Sequence, residues 1–373
     1  METTQQHSVR FILLSIYLFG IYCYFSWSQG PLVLPFTISM VAGSLLLIYY
    51  AWLPIRFIYF FICITGFIFC HTLLTYSSGT IYTIEKVKAA FLFMYAILFA
   101  LIFLKELLLV PNEKLANFFY YWTVGIGVAC LLHTFFPPFQ VIHNFFLSTL
   151  HGMVSITPST SLRDIALHGG IMRPFPLTTE PSHVAKFVFV TWSAWLYLSK
   201  YKNYLLFFVG SFLLFAIIRS VIVLPLFGVG IIAFVTEVEK KHKFLRLLLC
   251  LLLSIALLPL VIGISYQLLE GRILQMLQGD DLSTVYRLIL PNYLGKAVLL
   301  NNAFWGVGIG NVEYILELYN DLDSRLFFID YQPNFYYFTS FVAPILYFGI
   351  VGTLLFFGLL YLFFFRTKYW ATH

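Results

Sequence analysis

Residues 163–186 read RDIALHGGIMRPFPLTTEPSHVAK, a polar island in an oily chain. They gather two Arg, two His, one Asp, one Glu, three Pro and two Gly. Apolar runs flank them at 116–136 and 183–199, each close to the roughly 20 residues an α-helix needs to cross a hydrocarbon layer. The island is either a solvated connector between two spans or a place where chemistry happens. Outward from it, the alternation of apolar runs and polar connections sets the fold.

The 373 residues are 61% hydrophobic, 20% aromatic and 10% charged, with a mean hydropathy of +0.89. A soluble domain carries about 25% charged residues, so the composition predicts an all-α polytopic membrane protein, one integral membrane domain over residues 1–373. Ten apolar runs are candidate spans: 11–28, 32–50, 55–75, 87–104, 116–136, 183–199, 204–218, 221–236, 244–266 and 339–364. No small-residue cleavage site follows the first run, which is therefore expected to be a retained span. Cys23, Cys63, Cys70, Cys130 and Cys250 all fall inside apolar runs without metal-ligand spacing to a His, and read as small buried hydrophobes. No P-loop appears, and no basic run with interleaved aromatics lies outside the spans. The sequence thus argues against a bound nucleotide and against nucleic acid as a partner.

Orientation follows from Lys and Arg in short connections. With the N-terminus cytoplasmic, the inner connections hold Arg56, Lys105 with Lys114, Lys200 with Lys202, and the run EVEKKHKFLR at 237–246. Arg366 and Lys368 follow the last span on the same side, so both termini are expected inside; Lys86 and Lys88 run against the trend. Two long polar stretches, 137–182 and 267–338, then fall outside. Most Lys sort to the inner side, whereas Arg163, Arg173, Arg219, Arg272, Arg287 and Arg325 sort to the outer one. Lys suffices as a topological anchor; Arg is preferred where a planar fork must hold a carboxylate or phosphate. Either these arginines solvate loops, or together they serve an anionic ligand.

Within the first outer stretch, Arg173 precedes Pro174 and Pro176, and Glu180-Pro181-Ser182 stands at the mouth of a span. Prolines restrict the backbone and hold such a loop in one shape. Ser182-His183 resembles a helix start, whose free N–H groups favour anions. An Arg beside it makes a phosphate site with Glu180 as proton acceptor; an Arg173–Glu180 ion pair bracing a connector is the plainer alternative. In the second stretch, Asp281 or Ser283 would cap a helix carrying Arg287, with an apolar face of Leu288, Leu290, Leu294, Val298 and Leu299. Pro291 is expected to kink or interrupt it. GVGIGN at 306–311 permits a tight turn or a close backbone approach, and it follows no strand as a dinucleotide motif would. Asp321-Leu322-Asp323 spells a D-x-D pattern that a loop with several acids also yields by chance. Arg219 interrupts two apolar runs, and His71 and His133 near span ends read as satisfied core residues.

In order along the chain, Arg173, Glu180-Pro181-Ser182, Arg287, GVGIGN, Pro333-Asn334 and Gly349-Ile350-Val351-Gly352 resemble the bacterial O-antigen polymerase and O-antigen ligase superfamily. The likeness covers roughly the C-terminal two-thirds of the chain. It implies a GT-C-type glycosyltransferase of the bacterial inner membrane, metal-independent and without a cofactor, with two large periplasmic loops and its site facing the periplasm. Donor and acceptor would be undecaprenyl-diphosphate-linked oligosaccharides, and a chain-length regulator in the membrane would be a partner. By similarity Arg173 and Arg287 hold the diphosphate, where forked cations stabilise charge developing on the leaving group. Glu180 or a loop His deprotonates the attacking hydroxyl. Arg163, His183, Arg219, Arg272, Arg325 and Asn334 are the further residues expected to bind substrate.

Two departures shape this reading. Pro176 stands where the family often has Gly, and Phe338 stands where ligases carry a His eleven residues before the G-x-x-G of the last span. The second departure favours a polymerase over a ligase. A flippase or transporter for the same lipid-linked unit is the alternative from another class; it would be expected to show repeat symmetry and charges inside spans.

Overall fold

The computed structural model describes residues 4–23, 37–50, 53–76, 83–150, 173–178, 181–200, 203–237, 290–309 and 343–364. Among the described residues there are helices and turns and no strand. The helices are α1 (Thr4–Cys23), α2 (Ile38–Tyr49), α3 (Ile55–Tyr76), α4 (Thr83–Leu108), α5 (Asn112–Phe135), α6 (Pro137–Leu150), α7 (Pro181–Leu198), α8 (Tyr204–Ile218), α9 (Pro225–Glu237), α10 (Leu290–Asn301) and α11 (Ala343–Phe364). Four segments are long and apolar enough to cross a membrane: Ile55–Thr75, Ala89–Leu108, Asn112–Phe135 and Pro344–Phe363. At 24 residues, α5 is about 36 Å long, more than the roughly 30 Å of a hydrocarbon core. Val9–Cys23, Ile38–Tyr49, Tyr204–Ile218 and Pro225–Phe234 are shorter apolar helices. The chain is a helical membrane protein; the candidate span 244–266 lies outside the described residues.

Proline sets several of the boundaries. Phe136, at φ −120° and ψ 97°, is extended, because the ring of the following Pro137 disfavours the helical conformation of the residue before it. Pro137 then opens α6, Pro181 opens α7 and Pro225 opens α9, at the first helical position where a missing N–H costs nothing. Pro291 occupies the first turn of α10 and is tolerated there for the same reason; residues 281–289, where the helix it was expected to kink or interrupt would begin, lie outside the described residues. Arg219 ends α8 in the left-handed conformation (φ 53°, ψ 42°), its N–H donating to the Phe215 carbonyl at 2.8 Å. The interruption read at Arg219 is thus a helix terminus, followed by a 3-10 turn at Val221–Val223.

Two compact units divide the chain, one built from Met1–Ser28, Pro35–Leu46 and Phe103–Leu274, the other from Gln29–Leu34, Leu47–Ile102 and Gln275–His373. In the first, α5 and α7 pack along their lengths around Ile126, Val184, Val188 and Trp192, all buried. Thr123 and Thr191 share a hydroxyl hydrogen bond of 2.8 Å across that interface. Trp192 stacks on Trp195 at 4.3 Å and on Phe207 of α8 at 5.5 Å, and its indole N–H donates to the Phe207 carbonyl and the Ser211 hydroxyl. The same unit buries a charge cluster: Glu106 near the end of α4 meets Arg10 of α1 at 2.8 Å and Lys105 at 2.8 Å.

In the second unit α11 is broken. Gly349 sits at φ 65° and ψ −168° inside it, a region essentially reserved for glycine. A broken helix in lipid must find new partners for the backbone groups it frees. The turn after α10 supplies them: Val307 and Gly308 donate to the Leu346 and Tyr347 carbonyls, while Ile350 and Val351 donate to those of Ala303 and Phe304, at 2.8–3.1 Å. Gly306 and Gly349 lie so close that a Cβ on either would come within 2.5 Å of the other's amide nitrogen. The close backbone approach expected of GVGIGN is found here. His71 of α3 donates from Nε2 to the Trp305 carbonyl at 2.7 Å, and so is the satisfied core residue the sequence suggested.

Candidate functional site

The polar island enters the structure at Arg173. Arg173 is half-buried, Pro174, Phe175, Pro176 and Thr178 are buried, and the described loop ends three residues before α7 begins. A tight turn closes it, with the amide and the hydroxyl of Thr178 both donating to the Phe175 carbonyl, at 3.2 and 3.3 Å. Leu177 is held at φ 57°, a left-handed conformation that costs a side-chain-bearing residue about 1–2 kcal/mol. Something must hold it there.

One peptide group does much of the holding. The Pro176 carbonyl accepts a 2.7 Å hydrogen bond from the Tyr22 hydroxyl of α1. The amide of the same peptide, Leu177 N–H, donates to His143 Nδ1 of α6 at 2.9 Å. Both polar atoms of that unit are therefore satisfied by side chains of two different helices, as a buried peptide requires. Around it, the rings of His133, His143 and Phe175 form a triangle with centroid distances of 4.6, 5.0 and 5.1 Å. Gln140 of α6 donates to the His133 carbonyl at 2.9 Å, which turns α6 back over the end of α5.

Below the loop an apolar groove of about 350 Å³ runs between α1 and α5, lined by Phe19 and Tyr22 on one side and Phe118, Trp122 and Gly125 on the other. Pro176 and Leu177 close one of its ends. The arrangement is a proline-stiffened loop that begins at half-buried Arg173, lines an aromatic slot through Pro176 and Leu177, and precedes the N-terminus of α7 in the chain. Chemically it suits a ligand with an anionic head and an apolar tail.

Of the residues singled out from sequence, Arg173, His183 and Arg219 are described, and all three belong to the first unit. His183 is the third residue of α7, so the expected helix start at Ser182-His183 is found, one residue early at Pro181. Arg219 caps α8, as given above. Glu180, Arg287, Arg163, Arg272, Arg325 and Asn334 lie outside the described residues, as do Asp280, Asp281, Asp321, Asp323 and Phe338. Among the described residues no three His, Cys, Asp or Glu gather in a metal-sized cluster.

Three readings change. The stretch 137–182 was expected to be a polar loop, but its first 14 residues form helix α6; the signal lay in Pro137-Pro138 followed by apolar Val141, Ile142, Phe145 and Phe146. Cys63 and Cys70 were expected to be buried and are exposed on α3, while Cys23 and Cys130 are buried as expected. The uncovered face of an apolar span meets lipid, where a thiol is as acceptable as in a core. Of the expected apolar face on α10, Leu294 and Val298 are fully buried but Leu299 is 38% exposed. Tyr22, His143 and Glu106 were missed altogether. No family model, curated protein or solved structure matches the chain.

Proposed function

We propose that this chain is an O-antigen repeat-unit polymerase: a metal-independent glycosyltransferase of the bacterial inner membrane, with its site facing the periplasm. It would move a glycan from undecaprenyl diphosphate onto a sugar hydroxyl of a second lipid-linked unit. Arg173 and Arg287 would hold the diphosphate as it leaves, and Glu180 would take the proton of the attacking hydroxyl. The observation that carries this reading is the Arg173 loop. A loop that carries Arg173, locked at Pro176–Leu177 by Tyr22 and His143 and lining an aromatic groove with those two residues, suits a lipid diphosphate better than a solvated connector would. The order of the motifs along the sequence supplies the rest.

The test is a pair of substitutions, Arg173→Ala and Arg287→Ala, in cells that make the polysaccharide. Long chains should disappear while single lipid-linked units remain and reach the periplasm. Normal chain lengths in both variants would remove the site. Repeat units trapped facing the cytoplasm in a strain lacking the protein would instead make it a flippase.

A further inference from the structure

The Leu177–His143 bond fixes the protonation state of an imidazole. An amide N–H can only donate, so Nδ1 of His143 accepts, and the ring is neutral with its proton on Nε2. Charging the ring places a proton on Nδ1 and turns that acceptor into a donor facing a donor. The bond must then break, and with it goes one of the two clamps on the Pro176–Leu177 peptide. Leu177 is the residue with most to lose, because its left-handed backbone (φ 57°) is sustained by its surroundings. Arg173 lies four residues before it and Glu180 three after.

We propose that His143 is the positioning residue of the Arg173–Thr178 segment, and that its neutral imidazole holds this segment in shape and releases it on protonation. This rests on the proposed role of Arg173 for its consequence in catalysis, but not for the switch itself. The ring is 1% exposed and packs edge-on against His133 and Phe175. Among the described residues, the titratable groups on the elements around it are His133 of α5, Tyr22 of α1, which donates to Pro176, and His183 and Lys186 at the start of α7. Arg173 on the loop itself is permanently charged. Apart from Tyr22, each carries positive charge or acquires it in acid, so each opposes a cation at His143 rather than inviting one. Protonation is therefore resisted until acid forces it, and when it comes it is disruptive.

The experiment is hydrogen exchange on the full-length protein in detergent micelles, following the peptide that contains Leu177 and correcting for intrinsic exchange at each pH. Wild type should be protected near pH 8 and lose about tenfold or more of that protection by pH 4 or below, well under the ordinary imidazole range. His143→Asn keeps an acceptor close to the Nδ1 position without a titrating ring, and should stay protected at both pH values. His143→Ala should be unprotected at both. Protection in wild type that does not change with pH, or His143→Asn losing it in acid as wild type does, would overturn the proposal. The wild-type arm needs no variant, so a His143→Ala protein that fails to fold does not spoil the test. If exchange behaves as expected while Arg173→Ala leaves polysaccharide chains normal, the switch stands and the polymerase reading falls.

Discussion

Glu106 shows what single residues of this chain can and cannot reveal in sequence. Lys105 read as a cytoplasmic anchor because it flanks an apolar run, and Arg10 stands in the same way before the first run. In the fold both are buried against Glu106, at 3% and 7% exposure, and the carboxylate is fully covered. Removing the carboxylate that both cations meet leaves positive charge less compensated in low dielectric, and losing one partner of a buried pair costs about 3–5 kcal/mol. Glu106→Gln should therefore lower the midpoint of thermal unfolding in detergent markedly. Replacing Arg10, Lys105 and Glu106 together by Met should recover most of the loss, since no charge is then left uncompensated. Recovery failing in the triple variant would mean the charges do more than compensate one another. The Tyr22 clamp was equally hidden. It joins residues 154 apart in the chain, and no local pattern marks a tyrosine that will meet a proline carbonyl. Arg173 could be singled out because prolines and a helix start surround it, whereas the side chains that hold its loop come from distant helices.

Elements were more legible than the contacts between them. Apolar runs located α3 and α8 closely, whereas the starts of α6 and α9 at Pro137 and Pro225 went unread and that of α7 was placed one residue late, although pyrrolidine geometry acts on the nearest few residues. The break in α11 went unread, since 339–364 stood as one apolar span, and the turn that compensates it is some 40 residues away at 303–308. That pairing yields a sharp expectation. Alanine at Gly349 would need a backbone conformation reserved for glycine and would press its Cβ to 2.5 Å from both the Gly306 amide and the Phe304 carbonyl. Gly349→Ala should destabilise the second unit by several times the roughly 1 kcal/mol of an average point substitution. The same substitution at Gly358, where a Cβ meets nothing within 4 Å, should be neutral or slightly favourable in an α-helix. Thermal unfolding of the two variants side by side decides it; equal melting would mean that the pairing of α11 with the 303–308 turn tolerates a side chain.

At the scale of the whole molecule, the proposed topology depends on parity, and the short helices are where it can be tested. α6 is about 21 Å long and folds back on the end of α5 through Gln140, so it does not add a crossing between Arg173 and the end of α5. α8, with 15 residues, is about 22 Å long, and α9, with 13, about 20 Å, both short of the roughly 30 Å core. They are joined tightly through the Arg219 cap and the 3-10 turn at Val221–Val223, so both cross or neither does, and the side assigned to everything after them is the same in either case. What differs is the depth of Arg219. A helix of this length reaches the interface only if its terminal residue extends the span, and a long guanidinium side chain that snorkels into water does so. Arg219 is accordingly expected at the same water-facing surface as Arg163. In a background with the five Cys replaced by Ala, Arg219→Cys and Arg163→Cys should both react with a membrane-impermeant maleimide from the outside of the inner membrane, and Lys200→Cys should not. If Arg163→Cys reacts and Arg219→Cys does not, α8 and α9 form a re-entrant pair. Arg219 would then belong to the membrane interior and drop out of the diphosphate site. Reaction at Lys200→Cys alone would invert the orientation of the whole chain and place the Arg173 loop in the cytoplasm, away from any periplasmic acceptor.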